Sequence, residues 1–273
     1  MNKPSLSFTS LDEPAEPARP RDSATVVIAR DGSDGVEVFM LRRHLNSDFV
    51  GGAYVFPGGK LDDADRDPAL AELIDGWDED LTRAEGGDEA TARALVLCAI
   101  RETFEEAGIS LARGSDGTPV RLDDAERWLA YRRALQSGEE STLAGARRFG
   151  IRFGADFVRF WSRMVTPVQS PKRFDTRFYV ARMPEGQTPL HDEVETTESA
   201  WVRPAEAVAR ARAGEFAIIF PTRWTLESLM SAATTGELFA SARGRSAEPV
   251  TPQLVMADGE VRIRLPDGSL HLP

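Results

Sequence analysis

Residues 101–109 read Arg-Glu-Thr-Phe-Glu-Glu-Ala-Gly-Ile. Glu102, Glu105 and Glu106 stand three and four residues apart, a spacing that puts helical side chains about 5–6 Å from one another on one face. Like charges so placed destabilise a helix unless a cation neutralises them. Their carboxylate oxygens are hard ligands of the kind that suits Mg²⁺ or Mn²⁺. Gly108 follows at once and reads as a helix stop. Upstream, Gly86 and Gly87 precede Asp88, a residue type suited to an N-cap, and the acidic first turn complements the helix dipole. Between these signals Ala92, Leu95, Val96, Ala99, Ile100 and Phe104 keep one apolar face. The spacing predicts a single long helix ending at the glutamates.

Working outward, ATVVIA (24–29) is an apolar, β-branched run and reads as a strand. The turn DGSDG joins it to VEVFMLRR (36–43), which suggests a hairpin. Glycines 51, 52, 58 and 59 and Pro57 flank AYVF, a strand between loops. Residues 61–87 are acidic, contain Pro68 and three glycines, and read as an insertion with one short helix around ALAELID. Beyond the long helix, helical patterns lie at DDAERWLAYRRALQSG, around Asp156–Phe160, at 204–213 and at roughly 221–233. FDTRFYVARM and SAWVRP read as strands. The end, TPQLVMADGEVRIRLPDGSLHL, places two DG turns between apolar runs and reads as a short β element. The expected organisation is a disordered Pro/Glu-rich tail over 1–22, a main domain over 23–240 with the insertion at about 61–87, and a β extension over 241–273 packed on that domain.

The chain has 273 residues, enough to bury a sizeable core in one domain with additions. Its net charge of −11 argues against general nucleic-acid binding, which needs a basic face. No stretch approaches the roughly 18 apolar residues of a membrane span. The N-terminus lacks the apolar region of a secretory signal, and one cysteine, Cys98, excludes an internal disulfide framework. A cytoplasmic protein is expected. Cys98 sits at helical spacing from apolar neighbours and reads as core. His44, His191 and His271 form no ligand spacing, and Trp128, Trp161 and Trp224 read as packing residues.

With strand, glycine turn and carboxylate helix in this order, the chain resembles the Nudix hydrolases. Their box is G-x5-E-x7-R-E-U-x-E-E-x-G-U, where U is a bulky aliphatic residue. Residues 101–109 match every specified position except Thr103, which stands where U is expected. The first half is broken. From Gly59 in VFPGGK, 41 residues intervene before Arg101, against 13 in an unbroken box, so about 28 are inserted. An alignment from Gly87 restores the spacing but puts Arg93 where the first glutamate belongs. Gly59 is preferred, because Tyr54–Lys60 also supply the strand and PGG turn. The first glutamate has no secure equivalent; Glu89 is the nearest candidate. Such an insertion resembles the branch typified by a peroxisomal coenzyme A diphosphatase of animals. KRFDTRF (172–178), DEVETTESAW (192–201) and LVMADG (254–259) resemble that branch as well. The terminal Leu-His-Leu-Pro is not a peroxisomal tripeptide.

The resemblance implies an α/β fold, a Nudix α/β/α sandwich with a mixed sheet and helical additions. It implies metal-dependent hydrolysis of a phosphoanhydride in a nucleotide-linked compound. Coenzyme A or acyl-CoA would give 3′,5′-ADP and a 4′-phosphopantetheine. ADP-ribose or dinucleotides are the alternative substrates, and a non-catalytic nucleotide-binding regulator is the alternative of another class. Glu102, Glu105 and Glu106 would hold Mg²⁺ or Mn²⁺ together with the carbonyl of Gly59 or Gly58. Arg101 would orient Glu105. Glu198 is the choice of base over Glu193 and Glu195, although each also reads as an exposed loop residue. Arg42, Arg43, Lys60, Lys172 and Arg173 are candidates for substrate phosphates, the last two reading equally well as surface charges. Monomer and homodimer both remain open.

Overall fold

Val26–Ala29 of the first strand are apolar and buried on both faces, and that places the strand in the middle of a covered sheet. In the computed structural model, residues 11–45, 51–189 and 196–273 are described. Strand β1 (Arg21–Gly32) buries Ala24, Val26 and Ile28 on one face and Val27 and Ala29 on the other. It pairs antiparallel with β2 (Gly35–Arg43) through the expected hairpin. Two short strands follow, β3 (Tyr54–Val55) on β2 and β4 (Gly58–Lys60) on β1. Later in the chain β8 (Val158–Val165), β9 (Phe174–Arg182) and β10 (Thr196–Val202) complete a seven-stranded sheet of order β10-β2-β1-β9-β8. The β1–β9 pair is parallel and its neighbours are antiparallel, so the sheet is mixed.

Helix α3 (Glu89–Ala107) covers one face, burying Leu95, Cys98 and Ala99 against Val26, Ile28, Phe39 and Leu41. The Asp88 carboxylate accepts from the Thr91 amide (3.1 Å), and Gly108 stops the helix in the left-handed region (φ 64°). The other face is covered by α6 (Pro204–Arg212), α7 (Phe220–Leu229) and α8 (Thr235–Ser241). Val208, Leu226, Leu229 and Leu238 pack there on Val27, Val38 and Met40. The result is an α/β/α sandwich with a mixed sheet. Strands β11 (Gln253–Ala257), β12 (Glu260–Arg264) and β13 (Leu270–His271) form a separate small sheet that adds Leu254 and Ile263 to this second layer.

The insertion is packed, not appended. It carries a 3₁₀ turn (Asp63–Arg66), α1 (Pro68–Ala71), β5 (Ile74–Asp75) and α2 (Glu79–Ala84). Leu70, Ile74 and Leu81 join the α3-side core. The short helix expected at ALAELID thus ends early, and a second, capped by Asp78, follows it. Strand β5 joins β7 (Arg152–Gly154) and β6 (Ala112–Arg113) in a small sheet at the edge of this layer.

Two expectations are corrected. Residues 156–160 are not a helix but a 3₁₀ turn (Ala155–Phe157) entering β8, whose neighbours Phe160 and Trp161 are both buried because both faces of the sheet are covered. The region expected as a tail to residue 22 already contains the start of β1. The Arg21 amide donates to the Arg173 carbonyl (3.0 Å), and Leu11 packs against the second core layer. Between α3 and β7 lie α4 (Ala125–Ser137) and α5 (Thr142–Phe149), the latter not foreseen; Trp128 stacks on Phe149 between them (4.6 Å).

Candidate active site

The last turn and a half of α3 lies against the β3–β4 turn. Two contacts fix the pair. The Gly58 amide donates to Glu106 Oε2 (2.9 Å). The Glu102 carboxylate packs on Gly59 so closely that a Cβ at that glycine would lie 2.3 Å from Glu102 Oε1. The turn is itself pinned to the sheet, where the Val26 amide donates to the Pro57 carbonyl (2.8 Å) and Ala24 pairs with Gly59. Gly87, the other possible start of the box, stands at the far end of α3 with nothing near its Cβ position. Glu89 is at that far end too, paired with Arg93 (2.6 Å).

Arg101 divides the three glutamates. Its Nη1 donates to Glu102 Oε1 (2.9 Å) and Glu105 Oε1 (3.3 Å). Its Nε and Nη2 make a two-pronged bond to Asp65 of the insertion (2.8 and 2.9 Å). Asp65 is 1% exposed. Burial works against the Arg101 charge, but the Asp65 bonds and the Glu102 charge outweigh it and raise the guanidinium pKa. Asp65 was not foreseen. The signal for it is the DDAD run, in which Asp65 also caps the Asp62 amide (3.0 Å), but nothing local links it to Arg101.

Burial pushes the Glu102 carboxyl up to about 7; Arg101 opposes this and neighbouring Glu105 adds to it. Burial raises Glu105 as well. The charges are therefore crowded on one helix end, in line with the sequence argument, but they do not all face one point. Among the described residues no three His, Cys, Asp or Glu side chains are grouped as a metal-ligand set. Glu102 and Glu106 face a cavity of about 460 Å³, whereas Glu105 lies along Arg101. The donor set at this cavity, two carboxylates with Gly-Gly backbone beside them, still fits a hard divalent cation. Thr103, in the aliphatic position, is fully buried and satisfies its hydroxyl on the Ala99 carbonyl (2.8 Å).

The same cavity gathers Arg43, Lys60 and Lys172 from the phosphate candidates. It does not gather Arg42, because consecutive strand residues point to opposite faces. Arg42 instead meets Glu198 (3.1 Å) and the Gly52 carbonyl (3.4 Å). Glu198 is thereby placed on the β10 edge, half exposed, ion-paired and off the cavity lining. Glu193 and Glu195 lie outside the described residues. Arg173 donates to the carbonyls of Thr166 (3.1 Å) and Ala18 (2.9 Å) and also lies off this cavity. The lining also includes Phe56, Phe178, Phe220, Leu254 and Ile263, which make an apolar wall. Two of these come from the C-terminal sheet. A larger cavity, about 910 Å³, lies elsewhere beside Arg159 and Arg182 and holds none of the predicted site residues.

A family model described as the NUDT19 Nudix domain matches residues 79–229, more than half of the chain. The chain belongs to the NUDT19 Nudix family. That match encloses the carboxylate helix, with the Gly-Gly turn upstream of it. The chain is 29% identical to a chicken (Gallus gallus) protein named acyl-coenzyme A diphosphatase NUDT19, over 92% of this chain and 79% of that one. It is 26% identical to the human protein of that name, over 94% and 81%. Among solved structures it resembles a Nudix hydrolase from Alicyclobacillus acidocaldarius, with a TM-score of 0.63 and 27% identity, covering 81% of this chain and 96% of that one. The chain is a Nudix hydrolase, a family that works with divalent metal ions.

Gly59→Ala tests the close approach directly. The added methyl must displace the Glu102 carboxylate, and displacements of about 1 Å at a reacting site cost on the order of 10²-fold in rate. A drop of that order in kcat/KM, with an unchanged melting temperature, is expected. Full activity would show that Glu102 need not sit on the turn.

Proposed function

We propose that this Nudix hydrolase cleaves the diphosphate of coenzyme A or its thioesters with Mg²⁺ or Mn²⁺, giving 3′,5′-ADP and a 4′-phosphopantetheine compound. One observation carries the reading: Glu102, Glu106 and the Gly-Gly turn share a cavity with an apolar wall from Phe56, Phe178, Phe220, Leu254 and Ile263. The names of the chicken and human relatives support the same substrate. The charged end suits a diphosphate, and the apolar end suits a pantetheine arm with its acyl group.

Within this reading Glu102 and Glu106, with the Gly59 carbonyl, would hold the cation, and Glu105 would stand behind them on Arg101. The bound cation neutralises diphosphate charge and lowers the pKa of bound water. The chain supplies the rest. Arg101, anchored on Asp65, sets the directions of Glu102 and Glu105. The Gly58 amide orients Glu106. Arg43, Lys60 and Lys172 bring positive charge to the phosphates, and the apolar wall keeps water from the rest of the substrate. No helix among the described residues is long and apolar enough to cross a membrane. A cytoplasmic setting is part of the proposal and rests on the single cysteine, Cys98, a buried thiol whose pKa burial pushes well up.

The test is a substrate panel with Mg²⁺ or Mn²⁺: coenzyme A, an acyl-CoA, ADP-ribose, NADH and a diadenosine polyphosphate. The CoA compounds should have the highest kcat/KM, and chelation should stop turnover. Preference for ADP-ribose or a dinucleotide would overturn the substrate. Tight nucleotide binding with no turnover of any compound would overturn the enzyme reading.

A further inference from the structure

A second pocket, about 860 Å³, adjoins the catalytic cavity and shares Lys60, Lys172 and Phe174 with it. Six cationic side chains line it, Arg19, Arg21, Lys60, Arg66, Lys172 and Arg173, against three carboxylates. This is a local positive excess in a chain of net charge −11. Two of the six are already paired, Arg66 with Asp22 (3.3 Å) and Lys60 with Asp62 (3.6 Å). Asp22 is shared between Arg177 (2.7 Å) and Arg66 (3.3 Å). Asp175 is bound by Arg163 (2.6 Å) and Arg177 (3.3 Å), neither of which lines the pocket. Only Asp63 has no salt bridge among the described residues.

The cations are not equivalent. Arg173 donates to two carbonyls, and one of these, Ala18, belongs to the N-terminal segment. With the Arg21 amide on the Arg173 carbonyl, this fastens residues 18–21 along the pocket rim. Arg19, Arg21 and Lys172 have exposed side chains and no salt bridge among the described residues. Two arginines on a fastened segment line one pocket with a lysine shared with the neighbouring cavity; a phosphate monoester, which carries close to two negative charges and takes paired N–H donors, suits such a lining.

We propose that this pocket binds a second phosphate group of the substrate, the 3′-phosphate on the ribose of coenzyme A, and so selects for CoA compounds. The inference rests on the coenzyme A reading of the neighbouring cavity. That ribose carries its 5′-diphosphate and 3′-phosphate on one ring, so with the diphosphate at the glutamates the 3′-phosphate would need a site close by, and the adjoining pocket offers one. ADP-ribose, NADH and diadenosine polyphosphates lack this monoester and gain nothing there.

Coenzyme A and 3′-dephospho-coenzyme A differ only in that group, and they decide the matter. For the unaltered enzyme kcat/KM should favour coenzyme A by about 10- to 100-fold, the range expected from one or two charge-assisted hydrogen bonds. In Arg19→Ser/Arg21→Ser that preference should fall at least about tenfold through a higher KM for coenzyme A, with dephospho-coenzyme A unaffected. Equal kcat/KM for the two compounds in the unaltered enzyme would overturn the proposal, as would an equal loss on both in the variant. Calorimetry on the unaltered enzyme with 3′,5′-ADP and 5′-AMP serves if the variant fails to fold. Tighter binding of 3′,5′-ADP is expected, and equal affinities would overturn the pocket. If the unaltered enzyme turns over neither coenzyme, the substrate reading falls, and the calorimetric pair still decides the pocket by itself.

Discussion

Glu106→Gln should lower kcat on the preferred substrate by about 10³-fold, the scale seen when one electrostatic contributor to a transition state is removed. The argument is one of charge at constant shape. Glu106 is 8% exposed, faces the cavity beside the Gly-Gly turn and receives the Gly58 amide at 2.9 Å. A glutamine can still accept that bond through its amide oxygen, so the turn and helix keep their places. It cannot supply the negative charge that a divalent cation requires. Loss of activity with a melting temperature close to that of the unaltered protein is the expected pair of results. Retained turnover would move the cation to other carboxylates. Glu105→Gln provides the contrast. Glu105 does not line the cavity, and its backbone carbonyl already anchors Arg132 (2.8 Å) and Gln136 (2.7 Å) of α4. Its substitution should therefore cost less than that of Glu106, and the reverse order would show that the helix end rearranges when substrate binds.

The parts of this site written in local sequence were legible. Helix α3 announces itself through Asp88, a sustained apolar face and Gly108, and its boundaries in the structure follow those signals. Strand β1 is an apolar run because both of its faces are covered. Legibility ends where contacts span the chain. Asp65 and Arg101 are 36 residues apart, and only the folded insertion brings them together. The same covering of both faces that made β1 legible hid β8, whose adjacent buried Phe160 and Trp161 break strand alternation and look helical. Neighbouring basic residues were treated alike in the sequence, yet Arg43 reaches the cavity while Arg42 goes to Glu198. The two-residue period of a strand separates such a pair, but which face holds the cavity is a tertiary fact.

Arg177→Met is expected to destabilise the protein by about 3–5 kcal/mol, the usual result of leaving one member of a buried ion pair without its partner. Arg177 stands on β9 and Glu85 in the loop between α2 and α3; both side chains are 4% exposed. The guanidinium donates to both Glu85 oxygens (2.9 and 2.6 Å), to Asp22 (2.7 Å) and to the Asp175 carbonyl (3.0 Å). Burial works against the charge, but these bonds prevail and raise the Arg177 pKa. Methionine roughly fills the space and leaves the Glu85 carboxylate buried without a donor. Adding Glu85→Leu removes that stranded charge, so the double variant should recover most of the loss. It should not recover all of it, because Asp22 also loses a partner. Urea unfolding of the three proteins measures this, and a single-variant cost below about 1 kcal/mol would place the pair with ordinary surface salt bridges. The location gives the result a functional side. Glu85 closes the insertion that carries Asp65, and Asp65 holds Arg101 against Glu102 and Glu105. Freeing that end from the sheet should therefore loosen the arginine before the protein unfolds, and activity should fall at temperatures below the unfolding transition in the single variant and follow it in the double.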